Sequence, residues 1–108
     1  MAADWHVRFD ETREKLSETP PFHVGHRNGT MFAGLYMPQP EDRQEPHIQD
    51  EAYIVVAGTA SFRRNGDVVD VAAGDYLFVP AGMEHRFEGM SADFATWAVF
   101  WGPKGGEK

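Results

Sequence analysis

The sequence predicts an all-β fold, a small antiparallel β-barrel or jelly roll with a short N-terminal helix. From residue 22 onward the chain consists of short runs rich in β-branched and aromatic residues, with turn-forming residues between them. Eleven glycines and seven prolines in 108 residues favour many turns over long helices. Short strands at regular spacing are typical of a closed or sandwiched antiparallel sheet.

Composition limits the classes of protein to which the chain can belong. With 108 residues it fits one domain, which we divide into an N-terminal segment (1–21), a β-barrel (22–101) and a flexible tail (102–108). The net charge of −7 argues against nucleic-acid binding, because that function needs a dense basic surface. The absence of cysteine excludes disulfides and thiolate ligands.

The sequence shows neither an apolar run that could span a membrane nor the pattern of a signal peptide. No apolar run approaches the ~20 residues that span a bilayer. The N-terminus, MAADWHVRFDE, has neither the basic start nor the apolar stretch of a signal peptide. We therefore expect a cytoplasmic protein with no membrane partner.

The individual elements follow from local patterns. Residues 10–18 (DETREKLSE) predict the helix, with Asp10 as its N-cap and further acidic residues in its first turn. Asn65 and Gly66 predict a two-residue hairpin turn, because both tolerate a positive φ. Eight strands are expected, at residues 22–26, 30–37, 52–57, 59–64, 67–73, 76–81, 84–88 and 94–101.

Three of these strands are apolar on both faces, so each needs contacts on two sides. The runs AYIVVA, YLFVPA and FATWAVFW show no alternation between apolar and polar residues. One face of each strand can line the interior, whereas the other needs a cover from the N-terminal segment or from a second subunit. We therefore expect a homodimer.

Two stretches place chemically active side chains in fixed positions. In GDYLFVPAGMEHRF, glycines and a proline build a rigid turn that presents His85 at the start of a strand. In EPHIQDEAYIVVAG, the residues His47, Gln49 and Glu51 are two apart, and on an extended chain they point to one side. Two histidines and a carboxylate thus form a candidate cluster.

The first of these stretches resembles the second sequence motif of the cupin superfamily, G-x5-P-x-G-x2-H-x3-N. Gly74, Pro80, Gly82 and His85 match it at every spacing, and Gly89 replaces the final asparagine. The resemblance covers about residues 30 to 101.

The other stretch resembles the first cupin motif, G-x5-H-x-H-x3,4-E-x6-G. His47 matches its second histidine, Glu51 its glutamate and Gly58 its final glycine, whereas Glu45 stands in place of its first histidine. The stretch is also similar to small single-domain bacterial cupins in which glutamine follows histidine by two residues.

This resemblance implies a β-barrel that holds one divalent metal ion, with His47, Glu51 and His85 as ligands. Two imidazoles and one carboxylate with open positions suit non-haem Fe(II), and Mn, Ni or Zn also fit. Gln49 is the expected fourth donor, because it shares the parity of His47 and Glu51. The same parity fits Glu45, which is the alternative.

A substrate pocket is expected beside the metal. Tyr53 and Phe87 each lie two residues beyond a proposed ligand and are expected to face the same cavity. Met83 in the turn and His23 on an early strand complete this predicted pocket, which a small organic molecule would occupy. The other histidines are expected to be surface or hydrogen-bonded residues.

Three functions are compatible with these residues. The first is a metal-dependent enzyme acting on a small organic molecule, with dioxygenase-like chemistry favoured by the ligand set and isomerase or lyase chemistry as further options. The second is a non-catalytic protein that binds or senses a small molecule. The third is a structural barrel with a vestigial metal site, in which Glu51 is merely a buried, hydrogen-bonded carboxylate.

Overall fold

A computed structural model describes residues 4–16 and 21–108 of the chain. The described residues form a five-stranded antiparallel sheet, in the order β1-β2-β8-β3-β6, and a three-stranded antiparallel sheet, in the order β5-β4-β7. This arrangement confirms the predicted all-β fold with a short N-terminal helix. The elements are α1 (Phe9–Glu14), β1 (Phe22–Asn28), β2 (Met31–Tyr36), β3 (Asp50–Ala57), β4 (Thr59–Arg64), β5 (Asp67–Ala72), β6 (Tyr76–Val79), β7 (His85–Glu88) and β8 (Ala95–Trp101).

The hydrophobic core lies between the two sheets. Tyr53 and Val55 of β3 and Val79 of β6 pack against Phe62 of β4 and Phe87 of β7. The ring centroids of Phe62 and Phe87 are 4.7 Å apart, and those of Tyr53 and Phe87 are 4.9 Å apart. Burial of each such ring contributes about 1.5–3 kcal/mol, so these aromatic contacts hold the two layers together.

The helix is shorter than the sequence predicts and begins one residue earlier. Arg8 occupies the N-cap position without a side-chain cap, so the prediction of Asp10 as N-cap is wrong. The reason is tertiary packing, because Phe9 in the helix meets the ring of Trp97 edge-on at 6.4 Å. The helix ends at Glu14, and residues 17 and 18 of the predicted helix lie outside the described residues. Among the helices of the described residues, none has the length and apolar character needed to cross a membrane.

The outer face of the five-stranded sheet is only partly covered. Leu35, Trp97, Ile54 and Tyr76 are paired in register across β2, β8, β3 and β6. α1 packs at the β2 end of this row, where Leu35 is fully buried. Ile54 and Tyr76 remain 45% and 62% exposed, and Phe78 is 39% exposed. The homodimer that would cover these side chains stays a prediction.

The hairpin between β4 and β5 has the predicted turn. Asn65 and Gly66 have φ values of 47° and 92°, and the strand pairing begins directly beside them at Arg64 and Asp67. The pair thus supplies the left-handed backbone that a two-residue hairpin requires.

The C-terminal residues are hydrogen-bonded, which differs from the flexible tail expected from the sequence. The Gly105 N–H donates to the Ile48 carbonyl at 2.7 Å, and the Glu107 N–H donates to the Asp50 carboxylate at 3.0 Å. Asp50 is buried, so the tail donates one of the N–H groups that its carboxylate needs.

Candidate metal centre

Three side chains from the two motif-bearing stretches meet between the sheets. His47, Glu51 and His85 each offer a donor atom, and these atoms all lie within 4.8 Å of one another. His47 Nε2 is 2.6 Å from Glu51 Oε1 and 3.2 Å from His85 Nε2, and His85 Nε2 is 3.4 Å from Glu51 Oε1. Glu51 and His85 are buried, whereas the side chain of His47 is 19% exposed. The cluster is therefore open to solvent on the His47 side.

Both sheets contribute to the position of the cluster. Glu51 lies on β3, which is paired on both sides, and His85 is the first residue of β7 in the opposite sheet. His47 lies in the loop before β3. The Gly82 N–H donates to the His47 carbonyl at 2.7 Å, so the turn that presents His85 is bonded to the loop that carries His47.

Backbone carbonyls fix the orientation of both imidazole rings. His47 Nδ1 lies 3.0 Å from the Gln49 carbonyl, and His85 Nδ1 lies 2.9 Å from the Met83 carbonyl. A carbonyl only accepts, so each Nδ1 carries a proton and donates it. In the neutral rings, both Nε2 atoms then direct lone pairs into the cluster, as metal-ligating histidines do.

The electrostatics of the cluster favour a positive charge at its centre. Burial lowers the pKa of His47, but the hydrogen bond to Glu51, the negative charge of Glu51 and the Gln49 carbonyl act in the opposite direction, and on balance the pKa is raised. The same charge attracts either a proton or a metal cation.

A fourth polar side chain, Gln44, reaches the cluster and was not predicted from the sequence. Its Oε1 lies 3.1 Å from His85 Nε2 and accepts a hydrogen bond from the Tyr53 hydroxyl at 2.9 Å. Gln44 lies in the loop before β3, where the chain has no strand alternation. Consequently no periodic pattern in the sequence points to it.

Neither residue proposed as a fourth donor takes that place. The Gln49 amide donates to the carbonyls of Thr30 and Gly102 at 3.0 and 3.1 Å, away from the cluster. Glu45 is exposed and is not among the carboxylates of the cluster. The parity argument fails because β3 begins only after Gln49, so the chain from His47 to Gln49 does not alternate as a strand does.

Two of the four residues predicted to line a pocket, Tyr53 and Met83, contact the cluster, and a third, Phe87, does not. The Tyr53 hydroxyl is 3.1 Å from His85 Nε2, and Tyr53 is fully buried. Met83 contributes its carbonyl to His85 Nδ1. Phe87 is buried in the core, where its ring packs against that of Tyr53.

His23 lies on the other side of its sheet. The preceding residue, Phe22, faces the core, where its ring meets those of Tyr36 and Phe100 at about 6 Å. Successive residues of a strand point to opposite faces, so His23 faces outward, opposite Leu35. It does not line the space beside the cluster.

The comparison with known families decides where this fold belongs. The family profile of the cupin domain matches residues 34–101, from β2 to the end of β8. The chain belongs to the cupin family. An uncharacterised protein of Streptomyces coelicolor is 39% identical over 80 residues, which cover 72% of this cupin and 76% of that protein.

Solved structures agree with the fold of this cupin. A cupin-2 domain protein from Shewanella frigidimarina aligns with a TM-score of 0.72 at 18% identity, covering 86% of this chain and 91% of that one. A protein of unknown function from Rhizobium leguminosarum aligns with a TM-score of 0.77 at 17% identity, covering 91% and 96%. At these identities the likeness shows the fold alone.

The donor set of this cupin fits one divalent cation. Two imidazole nitrogens and one carboxylate oxygen converge, and Glu51 is only 1% exposed. A buried carboxylate is costly unless it is paired with positive charge. A cation held between His47, Glu51 and His85 would satisfy all three acceptor groups.

Proposed function

We propose that this cupin binds one divalent metal ion through His47, Glu51 and His85 and acts as a metal-dependent enzyme on a small organic molecule. The observation that carries the proposal is the convergence of three lone-pair donors within 4.8 Å, on rings whose outer nitrogens are bonded to carbonyls. Two histidines and one carboxylate with open positions suit Fe(II), and Mn, Ni or Zn are accepted by the same ligands.

The residues around the cluster have defined roles in such a site. When bound, a divalent cation supplies Lewis-acid chemistry at a coordinated oxygen. Glu51 balances its charge, and the carbonyls of Gln49 and Met83 hold the two rings in place. Burial and the charge of Glu51 raise the pKa of Tyr53, so its hydroxyl stays protonated and donates a hydrogen bond.

An apolar surface for the organic molecule lies at the open side of the cluster. Phe100 of β8 meets the ring of His47 edge-on at 4.8 Å and stacks on Phe32 of β2 at 4.6 Å. Both phenyl rings are partly exposed. They therefore offer an apolar wall beside the cluster, whereas Phe87, one of the residues assigned to the pocket from the sequence, is buried in the core.

Oxygenation of an enol or a catechol is the reaction that the ligand set favours, with isomerisation and elimination as further options. Oxygen uptake by Fe(II)-loaded protein with a series of enols and catechols tests this assignment. Turnover supports an enzyme. Saturable thermal stabilisation by these compounds without turnover would instead indicate a binding protein.

Metal binding itself is tested by replacing one ligand. His85→Ala is expected to reduce the metal content from about one ion per chain to almost none, because it removes one of three donors. His23→Ala is the matched control, since His23 faces outward, and it is expected to retain full content. Elemental analysis gives the occupancy and circular dichroism checks the fold. Full metal content in folded His85→Ala would refute the proposed site.

A further inference from the structure

We infer that Gln44 is the fourth protein ligand of this metal ion, taking the role of the missing first histidine of the cupin motif. The inference rests on the metal binding proposed above. It replaces both fourth donors suggested by the sequence, because Gln49 is bonded elsewhere and Glu45 is exposed.

Asp42 determines which end of the Gln44 amide faces the cluster. The Asp42 carboxylate is 5% exposed and accepts hydrogen bonds from the Gln44 backbone N–H at 3.1 Å and from Gln44 Nε2 at 2.7 Å. It also accepts from the Tyr36 hydroxyl and from the Phe87 N–H. A carboxylate in this role only accepts, so the amide nitrogen of Gln44 must face Asp42. Its oxygen therefore points to His85.

That orientation brings two acceptors together. Gln44 Oε1 lies 3.1 Å from His85 Nε2, which carries a lone pair because His85 Nδ1 donates to the Met83 carbonyl. The Tyr53 hydroxyl has one proton to donate, and its bond to Gln44 uses it. Two acceptors at this distance repel each other unless a positive charge lies between them. A metal ion shared by Gln44 Oε1 and His85 Nε2 would supply that charge, and the binding titration distinguishes it from a proton.

A glutamine in this position changes the chemistry of the site. The donor set becomes two imidazole nitrogens and two oxygens, where the cupin motif implies three nitrogens and one oxygen. Oxygen donors suit Mn²⁺ better than the softer, nitrogen-preferring ions. We therefore expect Gln44 to shift the preference of the site towards Mn²⁺ relative to Ni²⁺ and Zn²⁺.

Titration with a competing fluorescent chelator tests the assignment. Gln44→Ala is expected to weaken Mn²⁺ binding about tenfold or more. Gln39→Ala, which removes an exposed glutamine amide bonded to the Ser91 carbonyl, is the matched control and is expected to leave Mn²⁺ binding within about twofold. Gln44→His restores an imidazole and is expected to raise Zn²⁺ affinity relative to Mn²⁺. A purely structural role for Gln44 would not change that ratio.

The outcomes separate this inference from the proposed function. If the wild type binds metal and Gln44→Ala binds it equally well, the inference is wrong and the proposed function stands. If Gln44→Ala does not fold without metal, Gln44→His decides, and an unchanged Zn²⁺ to Mn²⁺ ratio overturns the inference. A wild type that binds neither ion rejects both.

A different observation carries a second inference, that Arg27 binds a carboxylate group of the substrate. Arg27, Phe32, Phe100 and Glu51 are paired in register across four neighbouring strands, β1, β2, β8 and β3. The guanidinium of Arg27 lies 5.3 Å from the ring centroid of Phe32, which is stacked on Phe100. The aromatic surface formed by Phe32 and Phe100 therefore has the guanidinium of Arg27 at the end away from the cluster.

Arg27 is available for an external anion. It is exposed, and within residues 4–16 and 21–108 it has no acidic side chain at ion-pair distance. Strands are ~4.8 Å apart, so the backbones of Arg27 and Glu51 are separated by roughly 14 Å. An elongated unsaturated carboxylate fits this arrangement, with an oxygen at the cluster, its body on Phe32 and Phe100, and its carboxylate at the guanidinium.

4-Hydroxycinnamate and its uncharged amide are suitable probes on metal-loaded protein, because the ring hydroxyl supplies the oxygen for the cluster. 4-Hydroxycinnamate is expected to bind about tenfold more tightly than its amide, and Arg27→Met is expected to remove that difference. Arg86→Met, an exposed arginine on β7, is the matched control and should retain it. Equal binding of the two probes by the wild type, or no binding of either, overturns the inference. Metal content measured in the same samples shows whether the proposed metal site has failed instead.

Discussion

Single residues at the site are held by donors and acceptors that come from distant parts of the chain. The resemblance to the two cupin motifs was sufficient to predict that His47, Glu51 and His85 come together. Gln44 and Asp42 were not predictable, because their loop is positioned by bonds to Tyr53 and Phe87 on two different strands. Such tertiary bonds leave no periodicity in the sequence.

The role of Asp42 as a buried acceptor can be tested by removing one of its oxygens. Asp42→Asn replaces one acceptor oxygen with an NH2 group, which meets N–H or O–H donors from Gln44, Phe87 and Tyr36. Leaving one buried donor without an acceptor is expected to cost about 2 kcal/mol of unfolding free energy. Urea unfolding of the metal-free protein measures this cost. Asp67→Asn, on the exposed end of β5, is the control, and equal stability of both variants would contradict the account.

At the scale of elements, the strands were predictable because turn residues mark their ends. The Asn65-Gly66 turn illustrates this, since its backbone preference is local. The start of α1 was not predictable, because the contact between Phe9 and Trp97 depends on the position of β8. The hydrogen-bonded tail was missed for the same reason, since Asp50 lies far from it in sequence.

Two turn glycines of the cupin motifs are expected to differ in their tolerance of a side chain. Gly58 and Gly74 both have positive φ values, 76° and 97°. A Cβ at Gly74 meets open space, so Gly74→Ala carries only the backbone cost of about 1–2 kcal/mol. A Cβ at Gly58 would collide with Ser91 Oγ and lie 2.7 Å from Phe94 Cα. Gly58→Ala is therefore expected to melt at a clearly lower temperature than Gly74→Ala, and the reverse order would contradict this packing.

The tail is expected to be released at low pH. The Glu107 and Ala81 N–H groups donate to Asp50 and lower its pKa. A carboxyl with a lowered pKa in the folded state stabilises that state above its ordinary pKa, near pH ~4, and this contribution is lost as the pH falls through the lowered value.

Asp50→Asn imitates the protonated state at neutral pH. Trypsin is expected to cleave after Lys104 faster in this variant than in the wild type, with mass spectrometry as the measurement. Asp70→Asn, an exposed change on β5, is the control. Unchanged cleavage would show that Asp50 does not hold the tail.

At the scale of the whole molecule, the sequence predicted the two-layer fold. It also predicted that the outer faces of the apolar strands need a cover, but not which cover each strand has. The apolar run around Trp97 is met by Phe9 of the N-terminal segment. The surface formed by Ile54, Tyr76 and Phe78 has no cover within the described residues. A strand can be covered by the N-terminal segment or by a second subunit. Tertiary packing decides between them, and the composition of the strand does not reveal it.

The exposed surface leads to a prediction about assembly. The wild type is expected to have twice the chain mass in solution, because a second copy buries Ile54, Tyr76 and Phe78. The double variant Ile54→Lys with Tyr76→Lys is expected to be a folded monomer. Light scattering after size-exclusion chromatography measures both, and a monomeric wild type would contradict the prediction.

One cation is expected between the two sheets, and anomalous scattering from crystals at the metal absorption edges would locate it. We expect one peak per chain at ~2.0–2.2 Å from the Nε2 atoms of His47 and His85 and from a carboxylate oxygen of Glu51. The absence of a peak at that position in crystals grown with the metal, or a peak bound by other residues, would contradict it.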